Sequence, residues 1–146
     1  MKRLMLGFAV VVGATVAFAP PASAIPRSGA LHATKECSQY SGQGGSFCTI
    51  TSSNLKAIDA GSKVIYAQPA GAADLDTDLV LYTGPGNSAF GHVTLWFATL
   101  SGVVTFSGGT GQFRDFHARV DVTYDPGSNG WHWDGTYRFG RADDDD

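Results

Sequence analysis

The sequence predicts an all-β protein that folds as a single antiparallel barrel of eight strands, or seven if its N-terminal edge strand does not form. After Ala24 no segment carries apolar residues at the three- and four-residue spacing of a helix, whereas β-branched and aromatic residues are frequent between the chain's 19 glycines. The last two apolar segments also alternate strictly between apolar and polar residues. Short strands separated by turn-forming residues are typical of sandwiches and barrels.

The two C-terminal strands show the clearest pattern. Phe116–Tyr124 and Trp131–Phe139 each place apolar residues at alternate positions, so each strand has one apolar face and one polar face. With a four-residue loop over Asp125–Ser128, the hairpin is predicted to place Tyr124 opposite Asn129. The full set of candidate strands is an edge strand at Ala30–Lys35, followed by Phe47–Leu55, Lys63–Gln68, Asp78–Thr83, Phe90–Thr99, Val103–Ser107, Phe116–Tyr124 and Trp131–Phe139.

Residues 1–24 have the composition of a cleavable signal peptide. Lys2 and Arg3 precede an apolar run, Leu4–Phe18, which is shorter than the roughly 20 residues needed to cross a membrane. Ala22-Ser23-Ala24 supplies small residues for a signal peptidase, so we expect cleavage after Ala24 and a secreted protein without a membrane anchor. Residues 25–140 then form the barrel domain, and residues 141–146 an acidic, disordered tail.

The part of the chain that follows the signal peptide has two cysteines, Cys37 and Cys48. In the oxidising environment outside the cytoplasm, the pair is expected to form a disulfide. Closing a loop of about 12 residues would stabilise the fold by roughly 3 kcal/mol. The spacing is typical of neither a zinc site nor a redox dithiol.

Charge and motifs argue against several classes of function. The net charge is −3, and no run of Lys or Arg forms a basic patch for nucleic acid. No cofactor is predicted, because Gly108–Gly111 lacks the Lys and the helix that follow a phosphate-binding loop, and no nucleophile elbow is present. His117, His132, Asp121 and Asp134 share the outer face of the last hairpin, but they are expected to be matched across the strands, so no metal site is predicted.

Aromatic residues are the most distinctive feature of the domain. A barrel of about eight strands can be filled by side chains or can hold one small ligand, so the sequence allows the rings to be either core or pocket wall. Glycines on the strands favour a pocket slightly, because small residues leave room. The aromatic residues expected to line such a pocket are Tyr66, Tyr82, Phe116, Tyr124, Trp131, Trp133 and Tyr137.

Part of the chain resembles the allene oxide cyclase barrel and, more loosely, the dirigent proteins. The resemblance rests on the Gly-His strand Phe90–Leu95, the strand and Gly-rich turn Phe106–Phe113, and the alternating strand Ala118–Val122, followed by the aromatic strand Trp131–Phe139. It implies an eight-stranded antiparallel barrel with an apolar cavity, in which a hydrophobic molecule is cyclised, often by an oligomer. The acidic and polar residues that hold the catalytic water in that family have no residue-by-residue match here, so the resemblance does not extend to its mechanism.

Three functions remain open from the sequence. The first is a secreted barrel that binds a small hydrophobic or aromatic molecule in its interior. The second is a cofactor-free cyclase or isomerase, for which Asp78 and His92 are the only polar candidates on central strands. The third is a structural or interaction module with a solid core, and a partner chain at its surface.

Overall fold

The computed structural model describes residues 13–15 and 26–140. The predicted tail at residues 141–146 lies outside the described residues, as does the predicted signal peptide apart from residues 13–15. Within the described part of the chain, no helix is long and apolar enough to span a membrane.

The fold is a closed barrel of eight antiparallel strands, as predicted. Each strand pairs with the next in sequence, and the last strand pairs with the first, so the order around the barrel follows the chain. A single turn of 3-10 helix, Gly111–Phe113, precedes the seventh strand. The strands are β1 (Ser28–Glu36), β2 (Phe47–Ser53), β3 (Lys63–Tyr66), β4 (Asp74–Gly84), β5 (Asn87–Trp96), β6 (Ser101–Gly109), β7 (Phe116–Asp125) and β8 (Gly130–Phe139).

Strand β1 was expected to be an edge strand, and in the structure it closes the barrel. Its backbone pairs with β2 on one side and with β8 on the other, for example through Leu31 opposite Gly135. Closure gives each of the eight described strands a neighbour on both sides. The pairing of β1 with β8 joins the two ends of the domain, which no local sequence pattern reports.

Strand β4 begins at Asp74, earlier than the predicted start at Asp78. Leu75, Thr77 and Leu79 face the interior, while Asp76 and Asp78 between them face solvent. Aspartate is depleted in strands, and because Asp74, Asp76 and Asp78 occupy alternate positions, the first part of the strand was not predicted. The apolar residues in between nevertheless keep the period of two that a half-buried strand requires.

The predicted register of the β7–β8 hairpin is wrong by two residues. Tyr124 lies opposite Trp131 rather than Asn129. The loop begins one residue later than expected because the Asp125 carboxylate accepts hydrogen bonds from the Gly127 N–H and the Ser128 hydroxyl, and Asn129 takes a left-handed conformation at φ 52°. A shift of two residues leaves every side chain on its predicted face.

Aromatic packing fills one end of the barrel completely. Phe116, Phe113 and Trp133 are fully buried, and the Phe116 ring lies 5.2 Å from that of Phe113 and 5.7 Å from that of Phe106. The connection between β2 and β3 covers this end, where Gln112 donates a hydrogen bond to the Ala57 carbonyl. This end has the solid core that one of the sequence interpretations expected of the whole barrel.

Glycines on the strands allow neighbouring backbones to come into close contact, and they do not enlarge the cavity. A Cβ atom at Gly135 would lie 1.9 Å from the Arg119 carbonyl oxygen, and one at Gly102 would lie 2.0 Å from the Thr94 carbonyl oxygen. Neighbouring strands therefore approach closely at these points, which lets the sheet coil into a barrel. The expectation that these glycines make room for a ligand is wrong.

Substitution of Gly135 tests this role. We expect Gly135→Ala to destabilise the fold by about 1–3 kcal/mol, because the added methyl group must displace the backbone of β7. Gly29→Ala is the matched control, since a Cβ there would only touch the Tyr137 ring at 3.5 Å. Urea unfolding of both variants measures the difference, and equal stabilities would contradict the assignment.

Candidate functional site

The other end of the barrel holds a cavity of about 250 Å³ that is partly open to solvent. The connections that follow β1, β3, β5 and β7 meet at this end. The disulfide, Tyr40, Tyr66, Trp131 and Lys35 contribute to its wall. The remaining wall is apolar and consists of Leu75, Val93, Leu95, Phe97, Leu100 and Val122.

Lys35 is the one charged side chain in the lining of this cavity. On β1 the inward positions are Leu31, Ala33 and Lys35, and the lysine is only 6% exposed. Sequence reasoning did not identify it as a site residue. Lys35 follows Leu31 and Ala33 at alternate positions of the strand. This spacing could have identified it, because alternate residues of a strand share a face.

The Lys35 amine is held by a hydroxyl and by aromatic rings. Its Nζ donates a hydrogen bond of 2.5 Å to the Tyr66 hydroxyl, and it lies 5.3 Å from the Trp133 ring centre and 5.9 Å from that of Trp131. None of the ion pairs found among the described residues involves Lys35. Burial without a counterion lowers the pKa of the Lys35 amine to about 7.

Two tyrosines complete the polar part of the cavity wall. Burial is the main cause that raises the pKa of Tyr66, and the nearby Tyr40 adds to it, so the Tyr66 phenol stays protonated. The Tyr66 hydroxyl also donates a weak hydrogen bond to the Cys48 sulfur at 3.6 Å. Tyr40 packs edge-on against Tyr66 at 5.2 Å, and its buried hydroxyl has no hydrogen-bond partner among the described residues.

The predicted disulfide between Cys37 and Cys48 is confirmed. It joins Cys37, which follows β1 and lies two residues after Lys35, to Cys48 near the start of β2. Both cysteines line the cavity, and Cys48 is buried. The disulfide therefore forms part of the wall and also fixes the strand that carries the amine.

The aromatic residues predicted to line a pocket fall into three places. Tyr66 and Trp131 line the cavity, and Tyr124 packs beside Trp131 with the ring centres 5.0 Å apart. Trp133 lies beneath the Lys35 amine, whereas Phe116 and Tyr137 belong to the packed part of the core. Tyr82 corrects the prediction, because it is 38% exposed on the outer face of β4.

Asp78 and His92 also lie on the outer face, away from the interior. His92 Nδ1 is 2.8 Å from Asp78, and His92 Nε2 is 2.5 Å from Asp76. Hydrogen bonds to Asp78 and Asp76 raise the pKa of the His92 imidazole. The hypothesis that Asp78 and His92 stand beside the interior rings is wrong, because the inward positions of these strands are taken by residues such as Leu79 and Val93.

The outer face of β7 and β8 is paired differently from the prediction. Its His and Asp residues were expected to be matched across β7 and β8, but the observed register places Asp121 opposite Asp134, and the Asp134 carboxylate contacts Nδ1 of His32 on β1 at 2.7 Å. His132 lies 3.6 Å from Asp125. In residues 26–140, no group of three or more His, Cys, Asp or Glu side chains is arranged to hold a metal ion.

The chain was compared with protein-family models, with curated proteins and with solved structures. No family model, no curated protein and no solved structure matches it. The resemblance to the allene oxide cyclase barrel therefore stays a prediction, since a closed eight-stranded barrel is shared by unrelated proteins. Function has to be argued from the cavity itself.

Proposed function

We propose that this protein binds one small, largely apolar molecule in the cavity at the open end of the barrel. With the signal peptide predicted at residues 1–24, we propose that it does so outside the cytoplasm. The observation that carries the proposal is an apolar cavity of about 250 Å³ at one end of a barrel whose other end is filled by aromatic side chains. Water finds few hydrogen-bond partners in such a space, whereas an apolar ligand leaves water and makes van der Waals contacts with the cavity wall.

The volume limits the size of the ligand. An apolar cavity of about 150 Å³ is enough to hold benzene, so the present cavity suits a molecule of roughly two fused rings or a short branched chain. Larger ligands would have to extend through the mouth, past Leu100.

The polar groups of the wall predict one feature of the ligand. Lys35 and Tyr40 both contribute to the cavity wall, and each has a group that can donate a hydrogen bond: the Lys35 amine, and the buried Tyr40 hydroxyl, which has no partner among the described residues. A buried donor without a partner destabilises the protein, and a ligand acceptor would satisfy it. We therefore propose an apolar ligand with a single oxygen group that lies between Lys35 and Tyr40.

The alternatives fit the cavity less well. A structural module needs no interior space, whereas this barrel retains an apolar cavity beside a buried amine. A cyclase or isomerase needs polar groups beside the reacting atoms, and in the cavity wall those groups are Lys35, Tyr66 and Tyr40. A catalytic role would therefore depend on ligand binding in the same place.

Filling the cavity tests the proposal. We expect 2-naphthalenemethanol, which has two fused rings and one hydroxyl, to bind the folded protein with sub-millimolar affinity. Val122→Trp places an indole inside the cavity and should weaken binding at least tenfold, about 1.4 kcal/mol. Thr123→Trp adds the same ring on the outer face, at the next residue of β7, and should leave affinity unchanged.

Isothermal calorimetry on the three proteins gives the result directly. Circular dichroism and a urea melt must first show that each variant is folded. Equal affinities for Val122→Trp and wild type would show that the alcohol binds elsewhere. Failure of wild type to bind this alcohol and a panel of similar mono-oxygenated two-ring compounds would contradict the proposed function.

A further inference from the structure

We propose that Lys35 captures an aldehyde in the cavity by forming a reversible imine with it. This inference rests on the proposed function and deepens it, because it names the class of the ligand's oxygen group. The site is the Nζ atom of Lys35, inside an apolar cavity that is open to solvent at one end.

The surroundings of the amine suit a nucleophile. Among the described residues, Nζ has one hydrogen-bond partner, the Tyr66 hydroxyl, and no carboxylate pairs with it. The titratable groups that share the cavity wall with Lys35 are Tyr66 on β3 and Tyr40 in the β1–β2 connection, and neither supplies a counterion. The Tyr66 hydroxyl accepts from Nζ and donates its own hydrogen to Cys48 Sγ, which leaves the lone pair of the neutral amine to a molecule in the cavity.

The protonation state agrees with this geometry. Burial lowers the pKa of Lys35 to about 7, so about half of the amine is neutral at pH 7. An ordinary exposed lysine has a pKa near 10.4, so that roughly one molecule in 2,500 is neutral at the same pH. Desolvated lysines are the ones that form Schiff bases with carbonyl compounds.

The reaction needs no further reagent. The Nζ lone pair forms a bond to the carbonyl carbon, and the carbonyl π electrons move to the oxygen, which takes up a proton released by nitrogen. The resulting carbinolamine loses its hydroxyl group with the second N–H hydrogen as water, and the C=N bond forms. Water leaves through the mouth of the cavity, and the reverse reaction releases the aldehyde.

A carboxylic acid is the main competing ligand for a lysine. Binding it as a carboxylate would bury two charges in an apolar cavity, and the desolvation of both opposes the attraction between them. An unprotonated imine carries no charge. Because the cavity wall is apolar apart from Lys35 and the two tyrosine hydroxyls, it favours the uncharged product.

Reductive trapping tests the inference. The folded protein is incubated at pH 7 with 2-naphthaldehyde and sodium cyanoborohydride, and its peptides are examined by mass spectrometry. We expect a reduced adduct on Lys35, with the mass of the aldehyde less one oxygen, that forms at least tenfold faster than adducts on the exposed Lys56 and Lys63. The α-amine of the chain serves as a reference for an amine with a low ordinary pKa.

Two variants and one ligand series make the outcomes distinct. Lys35→Met should remove the fast adduct, whereas Lys63→Met should retain it. If 2-naphthalenemethanol binds but the aldehyde gives no preferential adduct on Lys35, imine capture is wrong and the binding function stands. Preferential binding of 2-naphthoic acid without an adduct would likewise overturn capture in favour of a carboxylate ligand. If wild type binds neither the aldehyde, nor the alcohol, nor the panel of similar two-ring compounds, both proposals fail.

Discussion

Replacing Lys35 by methionine is expected to raise the free energy of unfolding by about 3–5 kcal/mol at pH 6. The folded protein holds the Lys35 amine in an apolar site, where its pKa is about 7 against 10.5 for the exposed side chain. At pH 6 the buried amine must carry a proton, and each unit of pKa difference corresponds to about 1.4 kcal/mol. Methionine fills a similar volume without a charge.

The pH dependence identifies the cause of the effect. Because the unfolded chain binds the proton more tightly, the penalty is fully present below pH 7 and disappears as the pH rises from 7 towards 10.5. Wild-type stability should therefore approach that of Lys35→Met over this range. Urea unfolding of both proteins between pH 6 and pH 9 measures the gap, with Lys63→Met as the control. A gap that does not change with pH would show that Lys35 is not desolvated.

Removal of the disulfide is expected to have the second largest effect. Cys37→Ser combined with Cys48→Ser should still fold as the same barrel but lose about 2–4 kcal/mol, because the closed loop no longer restricts the unfolded chain. For a domain of this size, 1 kcal/mol lowers the melting temperature by roughly 3–6 °C. The same variant should bind 2-naphthalenemethanol more weakly, since both sulfurs form part of the cavity wall.

Thermal unfolding followed by circular dichroism measures the stability loss. Wild-type protein treated with a reductant that reaches the disulfide should melt at the temperature of the double variant. If the variant keeps the wild-type melting temperature, the disulfide is not the stabilising element described here. If it keeps wild-type affinity, the sulfurs do not contact the ligand.

The sequence was sufficient for the fold class and for the faces of the strands. Alternation in Phe116–Tyr124 and Trp131–Phe139 placed Phe116, Val120 and Trp133 inside, where they are buried. It could not choose between registers that differ by two residues, because both leave the same faces buried. Local hydrogen bonds of Asp125 and the left-handed Asn129 decided the register.

The site was harder to predict, because the type of a residue does not show whether its side chain points into the barrel or out to solvent. Tyr82 was expected inside because it is aromatic, yet it shares the outer face of β4 with Asp76 and Asp78. Lys35 is charged and was passed over, although it follows Leu31 and Ala33 at the inward positions of β1. Position along the strand, rather than hydrophobicity, decides which side chain reaches the cavity.

The central claim is that the open end of the barrel encloses an apolar cavity around a desolvated lysine, and nuclear magnetic resonance tests it directly. Labelling lysine side chains with ¹³C at Cε gives few signals, because the barrel domain has only Lys35, Lys56 and Lys63, and Lys35→Met assigns the one of interest. The structure predicts that the Lys35 signal titrates near pH 7 and that 2-naphthalenemethanol shifts it. A Lys35 signal that titrates near pH 10.5 and does not respond to the alcohol would contradict the claim.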